Sequence, residues 1–195
     1  MLLTLLTIFI AAILTHNIAL TYLLGMCPFI SLSKSLRTAS GMGFAVVFVV
    51  TLTALINWPI YNLILVPTNT ELIYYIVFII VIAASVQLVE MIMERFFPPL
   101  QAAFGIFLPL ITVNCTVLAV SLFMVIRDYG LTQSVFYGFG AGLGWFLAIT
   151  LMAGLREKMG YSNIPVALRG TGIVMLVAGV IAMTFMGFAG MLNAQ

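Results

Sequence analysis

Six stretches of this chain, residues 2–25, 39–66, 72–89, 96–126, 129–155 and 170–195, contain no Asp, Glu, Lys or Arg. Each is close to or above the ~20 residues a helix needs to cross a bilayer. Hydrocarbon offers backbone amides no partner, so a chain built this way satisfies them inside helices. The expected fold is an all-α integral membrane protein, a single domain over 1–195 with six transmembrane helices. Composition closes the soluble alternative. With 64% hydrophobic and 6% charged residues, and a mean hydropathy of +1.28, no domain of this size could cover itself with polar side chains. The net charge of +2, from seven basic and five acidic residues, makes no patch for nucleic acid. The first run lacks a charged start and an A-x-A site, so it reads as a retained span rather than a removed signal.

Two runs are oversized. The second contains Asn57-Trp58-Pro59, a tryptophan and a proline that suit a membrane interface, and its helix is expected to end there. The fourth, 96–126, holds Pro98, Pro99 and Pro109, with Asn114 and Cys115 deep inside it. A proline leaves carbonyls unpaired, so this crossing is expected to be broken, with the irregular backbone buried in protein. With six spans the loops alternate sides. One side collects Lys34, Arg37, Arg95, Arg156, Lys158 and Arg169, and the other holds only Arg127. The bias puts the six in the cytoplasm and both termini outside, which in a bacterial inner membrane is the periplasm.

Sliding the chain by 97 residues aligns Thr15-His16-Asn17 with Thr112-Val113-Asn114, Gly41-Met42-Gly43 with Gly138-Phe139-Gly140, and Thr53 with Thr150. One shared offset at half-length suggests two repeats, about 1–97 and 98–195. Three spans per half would invert the second relative to the first, with broken helices one and four near the midplane. The glycines at 41, 43, 138, 140, 142 and 144 would let spans two and five pack closely. Packing alone is the competing account of these glycines, and a bridging role that of Asn17 and Asn114.

Two cysteines 88 positions apart form no CxxC motif. Cys27, in "LLGMCPF", and Cys115, in "ITVNCTVL", each sit beside an expected helix break. Either could be a small hydrophobe. As ligands they are half of a four-thiolate iron–sulfur site, so a metal centre would need a second chain. They are not repeat equivalents: the offset maps Cys27 to Met124 and Cys115 to Ile18. Glu90, beside Gln87, lies about 7 Å deeper than Arg95 along a helix. It is a candidate ion-pathway carboxylate with Asn17 and Asn114, or else a helix-end charge. Glu94 is expected to pair with Arg95, His16 to be a core residue, and the twelve methionines to fill gaps. No nucleotide-binding motif occurs, so the chain binds no NADH itself and is not active alone.

The stretches "LGMCPF", "GIFLPLITVNC", "ERFFPPL", "YGFGAGLGW" and "LREKMGYSNIP" with "LRG" closely resemble the membrane subunits of the sodium-translocating NADH:quinone oxidoreductase and of the related Rnf complex. The resemblance covers essentially the whole chain and is nearest the NqrE branch, with the RnfA branch close behind. It implies six helices in an inverted repeat and a paralogous NqrD-like partner of opposite orientation within a six-subunit complex in the lipid bilayer. It also implies that Cys27 and Cys115 ligate an iron centre, a [2Fe–2S] cluster shared with that partner. Electrons would pass through it between flavins while sodium is exported. FMN, riboflavin, FAD and NADH would belong to other members of the complex. On this reading the break makes room for a thiolate, Asn114 satisfies the freed carbonyls, and span one must be bent to bring Cys27 away from its cytoplasmic end. A lone ion carrier using Glu90, or a scaffold with inert cysteines, are the rival readings.

Overall fold

The structure is a computed structural model that describes residues 2–67, 73–96, 108–160 and 170–192. The described residues are helical, with no strand among them: α1 (Leu2–Ile13), α2 (Ile18–Thr21), α3 (Met26–Leu32), α4 (Leu36–Ile60), α5 (Tyr74–Phe96), α6 (Leu108–Thr112), α7 (Cys115–Ile126), α8 (Leu131–Met159) and α9 (Thr171–Leu192). Four segments among them are long and apolar enough to cross a membrane: Leu36–Leu65, Tyr74–Ile92, Pro109–Ile126 and Leu131–Met159. Two shorter apolar helices cover Leu3–Ile13 and Thr171–Gly187.

Helices α4 and α8 form the centre and run antiparallel. Glycine makes the close approach possible. A Cβ on Gly142 would stand 2.9 Å from Val47 Cα, and one on Gly138 would stand 2.9 Å from Ala54 Cβ. Gly43 faces the ring of Phe146 with no room for a side chain. Without the hydrophobic effect to drive helices together in lipid, backbone proximity and dispersion hold such a pair. Met42, Val46, Val50, Ala141, Trp145, Ala148 and Met152 are fully covered between these helices and their neighbours. The remaining helices wrap this pair: α1 along α8, α5 against α4, α6 and α7, and α9 against α2 and α8.

Span two does not end at Asn57-Trp58-Pro59. Helix α4 runs through Pro59 to Ile60 and continues as a π-helical turn, Tyr61–Leu65. Proline removes one N–H from the ladder, and the wider turn absorbs the register change: Tyr61 N–H reaches both Asn57 O and Trp58 O. Trp58 is used for a tertiary contact, its indole N–H donating to Tyr129 O at 2.7 Å.

Span four is broken, and the break is not at Pro109. Pro109 sits in the first turn of α6, where its missing N–H has no intrahelical partner to lose. The interruption falls at Val113–Asn114, and Pro98 and Pro99 lie outside the described residues.

Candidate functional site at the break in the first crossing

The first apolar run lies along α8 in pieces, with α8 as the ruler. Thr4 and Leu5 line a small cavity with Gly130–Gln133 at the start of α8. Further along, Gly140 abuts Phe9 and Ala12, and Gly144 abuts Ala12, Ile13 and Asn17. Trp145 is next to Gly25, and Arg156 donates to Ile30 O and Ser33 Oγ, both at 2.8 Å. Helices α1 and α3 therefore follow successive halves of α8 in the same direction. Between them, residues 17 and 25 meet adjacent residues of α8, so the seven residues separating them make an excursion at nearly constant depth. Trp145 is the middle residue of the 29 in α8, with fourteen on either side. The start of α3, and with it Cys27, is at mid-helix depth.

Asn17 holds the first break. Its amide Nδ2 donates to Ile13 O at 3.0 Å and Gly144 O at 2.8 Å, and its Oδ1 accepts from Ala19 N–H at 3.1 Å. It is fully buried, and one side chain caps α2, supplies a donor to the Ile13 carbonyl at the end of α1 and ties both to Gly144 O of α8. Asn114 has nearly the same backbone, φ −74° and ψ 114° against −65° and 112°, and its Oδ1 accepts from Thr116 N–H at 3.0 Å. The expectation that Asn114 satisfies freed carbonyls is not met. Its oxygen caps α7, and its Nδ2, in a residue 3% exposed, has no partner among the described residues. A side-chain oxygen is what an N-cap requires.

The second break lies between α2 and α3. Leu23 and Gly25 both have left-handed backbones, φ +53° and +76°, and Gly25 caps α3. A Cβ on Gly25 would stand 2.7 Å from Asn114 Oδ1 and 2.8 Å from Trp145 Nε1, and would overlap Thr116 Oγ1. Thr116 Oγ1 donates to Leu24 O at 3.3 Å. The start of α3 is thus pressed against the start of α7. Cys27 is the second residue of α3 and Cys115 the first of α7. Both are free thiols with exposed side chains. Among the described residues no three His, Cys, Asp or Glu gather in a metal-holding group.

Residues 5–192 match the family model described as "Rnf-Nqr subunit, membrane protein". The chain belongs to the Rnf-Nqr family. The E subunit of the Na(+)-translocating NADH-quinone reductase from Serratia proteamaculans (strain 568) is 48% identical over 190 residues, covering 94% of this chain and 96% of that protein. The protein of the same name from Klebsiella pneumoniae subsp. pneumoniae shows the same identity and coverage.

Other residues of this Rnf-Nqr protein that the sequence singled out lie apart from the two thiols or play local parts. Glu90 is half-buried on α5, with Gln87 and Glu94 exposed. No ion pair between Glu94 and Arg95 appears among the described residues. His16 is half-buried in the first break, its backbone N–H donating to Ala11 O at 2.7 Å. Thr53 and Thr150 share one pattern: each hydroxyl donates to the carbonyls three and four residues back, at 2.9–3.1 Å. Sequence reasoning missed Gly25, Thr116 and Trp145. The signals were a glycine two residues before Cys27 and a tryptophan with an N–H to place inside a glycine-rich span.

Proposed function

We propose that the chain is the E-type membrane component of a sodium-translocating NADH:quinone oxidoreductase, in which Cys27 and Cys115 supply two thiolates to an iron–sulfur centre completed by a paralogous, oppositely oriented chain. The observation that carries this is the meeting of two cysteine-bearing helix starts across Gly25, beside the middle of α8. The donor set fits the group: two soft sulfur ligands, both exposed on the isolated chain, as a centre shared with a second chain demands. When bound, such a centre takes up and releases single electrons between the flavins of neighbouring subunits. This chain's own part is to break two crossings at the same depth, cap the resulting helix starts, and present thiols there. FAD, FMN, riboflavin and NADH are held elsewhere in the complex.

The recurrence of cap geometry at Asn17 and Asn114, and of hydroxyl bonding at Thr53 and Thr150, supports a six-helix fold of two inverted halves. The cation bias supports a bacterial inner-membrane protein with both termini periplasmic. Alkaline phosphatase fused after Gln195 is then active, and an inactive fusion reverses the orientation. The family description also covers Rnf subunits, which makes the RnfA type the second reading. Ferredoxin-dependent rather than quinone-dependent turnover of the purified complex selects it.

Replacing Cys27 or Cys115 by Ala in the whole complex tests the main reading. Each variant is expected to lose the iron–sulfur electron-resonance signal and quinone reduction, while NADH oxidation by a soluble acceptor continues. Full iron content with normal quinone reduction in both variants defeats it.

A further inference from the structure

The end of the molecule that holds Lys34, Arg37, Arg156 and Lys158 carries an open groove between α4 and α8. It has two parts that meet at Thr150, the second of them lined by α8 alone. One, about 670 Å³, is lined by Leu36, Arg37, Ser40, Phe146, Thr150 and Glu157. The other, about 370 Å³, shares Thr150 and adds Leu151, Gly154, Leu155 and Lys158.

Its polar and apolar parts are separated by depth. Lys158 and Thr150 are eight residues apart on α8, so the groove descends ~12 Å from its charged mouth. The hydroxyls within it face their own helices: Thr150 Oγ1 donates to Phe146 O and Leu147 O, and Ser40 Oγ to Arg37 O. They offer a methyl and a methylene to the groove rather than a free donor. Gly154 contributes bare backbone, since a Cβ there would meet nothing within 4 Å. At the deep end Phe146 packs against Phe44, ring centroids 4.9 Å apart, and Phe44 is 66% exposed. The free polar groups are at the mouth, where Arg37, Lys158 and Glu157 are all exposed. Two cations outweigh one carboxylate there, and Lys34 adds a third cation nearby. Arg156 is not available, being bonded to the end of α3.

We propose that this groove binds a phospholipid with an anionic headgroup, its phosphate between Arg37 and Lys158 and an acyl chain along Gly154, Leu151 and Phe146. A charged mouth above an apolar floor with no free donors matches an amphiphile and offers nothing to a polar solute. Basic pockets between membrane helices at headgroup level hold acidic lipids in this way. The groove shares no lining residue with the contacts around Cys27 and Cys115, and the proposal is independent of the iron reading.

The test uses the whole complex in vesicles of equal phosphatidylglycerol and phosphatidylcholine, with a photo-crosslinking benzoylphenylalanine replacing Leu151. The expected adduct is a phospholipid, enriched in phosphatidylglycerol. Removing the cations by Arg37→Gln and Lys158→Gln should lower that enrichment by about fivefold for each charge. The single Lys158→Gln variant serves if the double variant assembles poorly. A polypeptide adduct would show that another protein of the complex covers the groove and would overturn the proposal. So would an enrichment that is absent, or unchanged by the substitutions.

Discussion

Gly25→Ala is the sharpest probe of the site, because two separate costs fall on one methyl group. The backbone at Gly25 has φ +76°, and the left-handed region costs an L-residue about 1–2 kcal/mol. The new Cβ would also overlap Thr116 Oγ1 and crowd Asn114 Oδ1 and Trp145 Nε1. None of these is the loose end of a flexible chain. Thr116 is tied to Leu24 O, Asn114 to Thr116 N–H, and Trp145 is fully buried. Crowding of this kind costs about 1–3 kcal/mol, so the combined loss is about 3 kcal/mol. In a chain of this length ~1 kcal/mol moves the melting temperature by roughly 2–4 °C, which gives a fall of roughly 6–12 °C. Gly179→Ala is the control. It lies inside α9 with nothing within 4 Å of its Cβ, and alanine there gains about 0.5–1 kcal/mol. Melting of the purified complex, scanned at one rate for both variants, reads the difference. Gly25→Ala melting within 2 °C (about 0.5–1 kcal/mol) of Gly179→Ala would refute both the left-handed cap and the contact between the starts of α3 and α7.

Asn17→Ala strands the Ile13 carbonyl and a helix-start N–H in a fully buried place, cuts the tie to Gly144 O of α8, and is expected to cost about 3 kcal/mol. Asn114→Ala loses one described bond and costs about 1 kcal/mol; equal melting shifts for the two would count against their unequal roles. Arg156→Gln releases Ile30 O and Ser33 Oγ, and faster amide exchange over residues 30–36 is the expected sign, with unchanged exchange contradicting the clamp. Glu90→Gln should leave assembly intact and weaken the apparent affinity for the coupling cation in a sodium titration of quinone reduction. An unaltered titration takes Glu90 out of the ion path.

What the sequence made legible follows from what lipid forbids. Charge-free runs of span length admit helices, and the described residues are helical. The glycines at 138, 140, 142 and 144 sit where backbones approach, as small residues in a membrane span imply. Pro59 and Pro109 misled for a common reason. A proline marks a missing donor, but whether a helix ends there depends on neighbours that re-satisfy the carbonyls, which here are a π-helical turn and a first-turn position. The breaks at residues 17 and 114 were better marked by asparagine, since a short side chain with an acceptor caps a helix start without water.

The depth of Cys27 could not be counted from sequence, because counting assumes that each run crosses once and straight. Asn17 and Asn114 are equivalent under the 97-residue offset, and each begins a helix with the same backbone. Yet only the second is followed by a cysteine, the first being followed by Ile18. Had span one resumed directly after Asn17, Cys27 would have run nine residues past the break and away from Cys115. Instead α2 lasts four residues, the chain turns through the left-handed Leu23 and Gly25, and a second helix start forms against Asn114 and Thr116. The 97-residue offset pairs one capped break at Asn17 with another at Asn114, and the extra break at Gly25 brings a further helix start beside the second. That is why the starts of α3 and α7, which carry two cysteines that are not repeat mates, lie against each other, and why Gly25, lacking any side chain, is the residue on which that contact depends.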